Sequence, residues 1–326
     1  MKILVTGGAG HVGSVLVPYL IEKGFSVSVL DKLIFGDEGL RKISKENINI
    51  FNGDIRDKKI VDKATKNVDA VIHLAAISND PCSELDHKLT KEVNYEGTKN
   101  LVNYAKKNGV KRFINVSSSS VYGIKNEPNV TEDLPLNPLT IYSKTKAWSE
   151  QYVNEANNDN FTTVNIRPAT VCGYSPRMRL DLVVNILTSH AIKNNKIIVF
   201  GGSQKRPNIH IKDISDLYTQ MLTFPEEKIA GESFNVGFEN HSVMKLADIV
   251  KEVIGDDVEI EVQKTDDPRS YHISSEKLTK KTGYKPKRII KDAIKEIKNA
   301  FEDGKIPDWK DSKYYNVKKM KELNIK

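Results

Sequence analysis

From residue 2 to residue 167 the chain repeats one pattern: a short β-branched run, a glycine or polar turn, then a helix-length amphipathic stretch. Parallel strands need long crossover connections, usually helices, so this alternation predicts an α/β fold built on a doubly wound parallel sheet. The expected strands are 2–6, 26–31, 48–52, 69–74, 112–117 and 162–167, each apolar enough to be buried on both faces. Helices are expected at 11–23, 58–66, 85–108 and 141–158, with Pro18 kinking the first or costing it a hydrogen bond. Beyond residue 167 the rhythm breaks into Gly- and Pro-bearing segments (172–178, 201–208), helices at 180–193, 213–224, 244–254 and 289–301, and one more short strand at 233–236. A second, smaller region therefore begins there, joined without a flexible linker.

Thr6-Gly7-Gly8-Ala9-Gly10-His11-Val12-Gly13 links the first strand to the first helix. Glycines in that position let the backbone approach a dinucleotide pyrophosphate, and the N–H groups of the helix start face its negative charge. Two registers fit, Gly8/Gly10/Gly13 and Gly7/Gly10/Gly13. Asp31 ends the second strand, where a carboxylate can accept hydrogen bonds from the adenine ribose and repel a 2′-phosphate. That favours NAD over NADP, although Lys32 next to it softens the repulsion.

Composition narrows the alternatives. The chain has 326 residues, 39% of them hydrophobic and 29% charged, and no apolar stretch of spanning length, which argues against a membrane protein. The opening MKILVTGGAG lacks a secretory pattern, and the lone pair Cys82 and Cys172 offers neither a disulfide framework nor a zinc site; both point to the cytoplasm. The net charge of +7 gathers partly at 277–288 and 313–321, but those runs lack a stacking platform, so a solvated face is expected rather than a nucleic-acid surface. The seven histidines lack metal-binding spacing, and no metal site is expected. His73 and His210 are expected to be packed, hydrogen-bonded side chains.

Tyr142 and Lys146 stand one helical turn apart, where an ammonium can stabilise a phenolate. Tyr19, Tyr95, Tyr314 and Tyr315 also have Lys four residues later, so spacing alone does not choose. Position does: only Tyr142 follows a Ser-rich strand end, Ser117-Ser118-Ser119-Ser120, at the carboxyl edge of the sheet.

Together with Asp54-Ile55, His73-Leu74-Ala75-Ala76, Asn94, Ser117 to Gly123 and Arg206-Pro207-Asn208-Ile209-His210, these features resemble the extended short-chain dehydrogenase/reductase family. Within it the chain looks like the nucleotide-sugar epimerase/dehydratase branch, over residues 2 to about 280. The resemblance implies an NAD-binding Rossmann domain over 1–170 with a return segment near 207–238. It implies a nucleotide-sugar domain from 171–206 and 239–326. Ser118 would take the place of the catalytic Ser/Thr, Tyr142 of the base, and Lys146 of the residue that also holds the nicotinamide ribose. Gly7, Gly10, His11, Val12, Gly13, Asp31, Lys32, Asp54, Ile55, Leu74, Ala75, Ala76 and Asn94 would line the cofactor. Ser118, Ser119, Thr170, Arg179, Leu180, Arg206 and Arg269 would meet a nucleotide-diphosphate sugar. The branch's dehydratases carry Asp-Glu after that Ser/Thr; here Ser119-Ser120 stand there, which disfavours loss of water. The resemblance thus implies a 4-epimerase acting through a transient 4-keto sugar, with a 4-dehydrogenase or 4-ketoreductase as the near alternative. A non-catalytic NAD-binding regulator is the distant one. It also implies a homodimer through 85–108 and 141–158.

Overall fold

The computed structural model describes residues 1–125, 127–265, 270 and 272–325. Twelve strands occur among them: β1 Lys2–Thr6, β2 Ser26–Asp31, β3 Ile48–Asn52, β4 Ala70–His73, β5 Arg112–Val116, β6 Thr162–Pro168, β7 Thr170–Cys172, β8 Lys196–Phe200, β9 Lys205–His210, β10 Glu232–Val236, β11 Glu239–Ser242 and β12 Glu259–Gln263. Seven form one sheet in the order β10-β6-β5-β4-β1-β2-β3. Every pairing in it is parallel. The chain starts at β1, builds outward to β3 and then returns to β1's other side with β4. The crevice above the carboxyl ends of β1 and β4 is therefore the topological switch point where such sheets bind ligands.

Burial explains the sheet and corrects one expectation. β4 is wholly buried and β6 nearly so, as strands covered by helices on both faces must be. β3 instead has only half-buried and exposed residues, because it is the sheet's edge and has a partner on one side only. Past residue 168 the chain forms a three-stranded sheet, β11-β9-β7, and a parallel pair, β12-β8. Five of these strands were not anticipated; 201–208, read as irregular, holds the start of β9.

Two helices position the chemistry. Gly13–Glu22 runs without interruption through Pro18 and begins without a side-chain cap; its first turn is closed by the backbone, Ser14 N donating to Gly10 O (2.9 Å) and Val15 N to Val12 O (3.0 Å). Ile141–Ala156 begins in a capping box, Thr140 with Ser143, which fixes Tyr142 in the first turn. The expected helix over 85–108 is instead helical at His87–Lys91, a π-helical Glu92–Gly97 and helical again at Thr98–Lys107. Asn94 lies in the π segment, where one extra residue per turn re-aims a side chain. No helix among the described residues is long and apolar enough to cross a membrane.

Candidate active site

A cleft of about 370 Å³ opens over the switch point. The glycine turn forms its floor, and packing separates the two registers. Gly7 has φ +72°, and a Cβ there would meet Ala75 N at 2.7 Å; one on Gly13 would meet the Gly8 carbonyl at 2.5 Å. Gly8 packs against Val29 and faces away, whereas Gly7, Gly10, His11, Val12 and Gly13 line the cleft. Asp31 stands at the end of β2, accepting hydrogen bonds from Ala9 N (2.9 Å) and Leu33 N (2.8 Å). Burial raises its pKa, opposed by those two donors. Lys32 is paired with Asp54 at 3.1 Å, and Asp54 also binds Arg56 at 2.9 Å. Burial works against the Asp54 charge, but hydrogen bonds from Arg56 and Lys32 outweigh it and bring the pKa to about 2.

Ile55, Leu74, Ala75 and Ala76 line the far wall. Asn94 does not: its side chain is buried, accepts from Ile77 N (2.8 Å) and donates to Ile77 O (3.0 Å). It shapes the wall by clamping the 75–78 segment, a correction to its expected place in the lining. His73 behaves as expected, bridging Thr6 Oγ1 (2.7 Å) and Thr98 Oγ1 (2.9 Å), with burial lowering its pKa to about 3. His210 is buried and accepts from Lys212 N at 3.1 Å. Its Nε2 lies 3.4 Å from Glu296 Oε2 without the alignment of a hydrogen bond.

At the other end Ser117, Ser118, Ser119, Ser120, Tyr142, Lys146 and Thr170 share the lining. Ser118 caps the turn Ser119–Tyr122, and the Ser120 hydroxyl donates to Ser118 Oγ at 2.9 Å. Lys146 is 6% exposed and donates to the Val116 carbonyl at 2.8 Å. Two of the other Tyr-Lys pairs look different: Lys23 and Lys99 lie over the rings of Tyr19 and Tyr95, each at 5.1 Å. Only Lys146 among these lysines is drawn into the cleft. Tyr218, which sequence reasoning missed, is fully buried and lines the same end.

Burial lowers the Lys146 pKa to about 8, partly opposed by Glu150 one turn on. An unfolded lysine keeps the ordinary 10.5, so between about pH 8 and 10.5 the unfolded chain holds a proton that the folded chain has released. Relative to pH 7, Lys146 therefore adds stability to the ligand-free protein as pH rises through that window. Urea midpoints of wild type and Lys146→Met should diverge in the wild type's favour above about pH 8; a gap constant with pH would contradict the assignment.

Not every expected substrate contact reaches the cleft. Arg179 lines it but is already held by Asp181, Nε to Oδ1 at 2.9 Å. Leu180 is fully buried in the cluster with Ile297 and Phe301, ahead of the helix Val183–Asn194, and lies outside the lining. Arg206 sits half-buried on β9, opposite His241, also outside it. Arg269 lies outside the described residues. Arg177, by contrast, faces the cleft beside Phe35 and Asn316. It stands two residues before Arg179 in the same stretch, which was the available signal; nothing local marks Asn316.

The cleft is fit for a dinucleotide on the structure's own terms. Gly10 would meet an added Cβ only through the Gly7 carbonyl at 3.1 Å, leaving its ligand side open. Buried polar atoms of His11, Ser117 and Arg177 lack protein partners. A doubly wound sheet with an open glycine turn and a Tyr/Lys pair at the cleft's other end defines a dinucleotide-dependent catalyst acting on a hydroxyl or carbonyl.

Comparison with known proteins narrows that class. Residues 3–237 match the model of the NAD dependent epimerase/dehydratase family. The UDP-glucose 4-epimerase of Lactobacillus helveticus is 30% identical over 310 residues, 88% of this chain and 92% of that protein. The structure of the Thermotoga maritima UDP-glucose 4-epimerase with UDP-glucose superposes with a TM-score of 0.84 at 26% identity, covering 93% of this chain and 99% of that one. The Bacillus cereus UDP-glucuronic acid 4-epimerase, in complex with UDP-glucuronic acid and NAD, gives 0.83 at 25% identity, covering 93% and 99%. The chain belongs to the NAD dependent epimerase/dehydratase family, in its extended short-chain dehydrogenase/reductase branch, and NAD is its cofactor.

Proposed function

We propose that the protein is a cytoplasmic nucleotide-sugar 4-epimerase that keeps its NAD through turnover. The observation that carries this reading is the convergence of Tyr142, Lys146 and Ser118 on one end of the dinucleotide cleft, with Ser119 and Ser120 where a dehydratase needs carboxylates. NAD, when bound, supplies reversible two-electron oxidation of the sugar carbon. Tyr142 takes the proton of the C4 hydroxyl and later gives it back. Lys146, fixed by the Val116 carbonyl, holds positive charge near the phenol. Ser118 donates to the sugar oxygen and orients it toward Tyr142, and Thr170 contacts the sugar from the β7 side. The identity of the relatives supports a nucleotide-diphosphate sugar as substrate.

On this reading residues 1–170 and the return near 207–238 hold the cofactor, and 171–206 with 239–326 hold the nucleotide sugar. Leu85 and Trp148, 37% and 38% exposed, support a homodimer through 85–108 and 141–158.

The test is to incubate the purified protein, without added cofactor, with UDP- and GDP-hexoses and to follow the sugar proton spectrum. Inversion at C4 without net oxidation is the expected result. Stoichiometric absorbance of reduced nicotinamide would replace the epimerase by a 4-dehydrogenase, and unchanged spectra with all sugars would remove the reading.

A further inference from the structure

Arg177 is 4% exposed and lines the cleft between β7 and the helix Val183–Asn194. Its Nη2 donates to Asn316 Oδ1 at 2.6 Å, and its guanidinium carbon lies 4.0 Å from the centroid of the Phe35 ring. Those contacts hold the group in place without neutralising it. Nε and Nη1, both buried, have no hydrogen-bond partner, and the nearby Asp181 carboxylate is engaged by Arg179. A buried guanidinium with two idle donors is costly unless a ligand anion completes it.

His11 adds a second sign. Its Nδ1 lies 3.1 Å from the Arg177 carbonyl, which can only accept, so Nδ1 carries the proton. Nε2 is then a bare acceptor, buried and unpartnered. Burial lowers this ring's pKa to about 3, so it stays neutral. Two idle donors for an oxyanion and one idle acceptor for a hydroxyl, on residues that line one cleft with the glycine turn, match a sugar phosphate.

Arg177 is held from the far end of the chain. Asn316 donates through Nδ2 to Ser78 Oγ (3.2 Å) and through its backbone N to Asp181 Oδ2 (3.1 Å). Val317, Met320 and Ile325 pack with Phe35, Ile77 and Cys82, and Ile325 lines the cleft.

We propose that Arg177, clamped by Asn316 and Phe35, binds the pyrophosphate of the dinucleotide, so that segment 316–325 governs how firmly the cofactor is retained. This rests on the cleft being the NAD site, not on the 4-epimerase reaction, and binding measurements separate the two.

The probes are NAD, ADP-ribose and adenosine, titrated by calorimetry into the ligand-free full chain. Arg177→Met keeps the packing on Phe35 and removes the charge. NAD and ADP-ribose should bind about 10- to 100-fold more weakly, since charge-assisted hydrogen bonds are lost. Adenosine, which has no phosphate, should be unaffected. The melting temperature of the ligand-free variant should stay level or rise, because an uncompensated buried cation has gone. Arg177→Lys, which keeps a point charge but not the planar fork, should fall between and serves if the Met variant does not fold. Unchanged NAD affinity, with or without a lowered melting temperature, would overturn the proposal, as would an equal loss for adenosine. Absence of C4 inversion by the wild-type protein, alongside the expected loss of NAD affinity in Arg177→Met, would fault the epimerase reading alone.

Discussion

Tyr142→Phe is expected to lower kcat for C4 inversion by about 10²- to 10⁴-fold, the range typical of a lost general acid–base. NAD affinity should stay within about threefold of wild type, since only a hydroxyl is removed. The size follows from what the site must do to a phenol. Bringing a pKa of ~10 down by about three pH units costs about 4 kcal/mol. One cation at ~5 Å in an effective dielectric of ~20 returns about 3 kcal/mol. On the proposed reading Lys146 alone would fall slightly short of that, and the positive nicotinamide ring of NAD, when bound, would supply the rest. With its pKa near 8, Lys146 still carries its proton on most molecules at neutral pH. Sugar proton spectra and calorimetry on the same preparation check both halves; turnover within tenfold of wild type would remove Tyr142 as the base.

Glu150→Ala is expected to destabilise the protein by about 3–5 kcal/mol, the usual cost of stranding one member of a buried ion pair. Arg167 and Glu150 have side chains 7% and 3% exposed. Arg167 donates to the carboxylate through Nε (3.0 Å) and Nη2 (2.7 Å), and its Nη1 donates to Tyr122 OH at 2.6 Å. The Tyr122 hydroxyl passes the chain of bonds to Asn235 Oδ1 at 2.9 Å on β10. Burial pushes the Tyr122 pKa up to about 12, so it remains a donor at neutral pH. The network joins the helix carrying Lys146 to β6 and β10. Removing both charges together, Glu150→Leu with Arg167→Met, should recover much of the loss, because a buried pair contributes little net stability. Urea unfolding of the single and double variants measures this. A single-variant loss below about 1 kcal/mol would mean that water reaches the pair.

What could be read in advance follows from how local the causes are. β1, β2 and β3 have the bounds expected of them, because short β-branched runs set off by turns need no partner to be recognised. β9 and β11, reading Lys-Arg-Pro-Asn-Ile-His and Glu-Asn-His-Ser, are polar segments that become strands by pairing with each other. Nothing in either run alone specifies that. The same contrast holds in the cleft. The glycine turn, Asp31, Ser118, Tyr142 and Lys146 follow one another along the sheet's carboxyl edge in a spacing that the chain displays. Arg177 and Arg179 are indistinguishable as sequence; the fold gives one a carboxylate and leaves the other facing open space. Leu180, taken for a substrate contact, lost that place to a hydrophobic cluster supplied by residues more than a hundred positions later.

The cleft's walls come from both extremes of the chain, Gly7 near one and Asn316 with Ile325 near the other. During synthesis the first six parallel strands leave the ribosome well before residue 316, so a growing polypeptide has a nucleotide floor without its last wall. If Arg177 and Asn316 grip the dinucleotide as proposed, a nascent chain or a form clipped before residue 316 would hold the coenzyme more loosely than one carrying that segment.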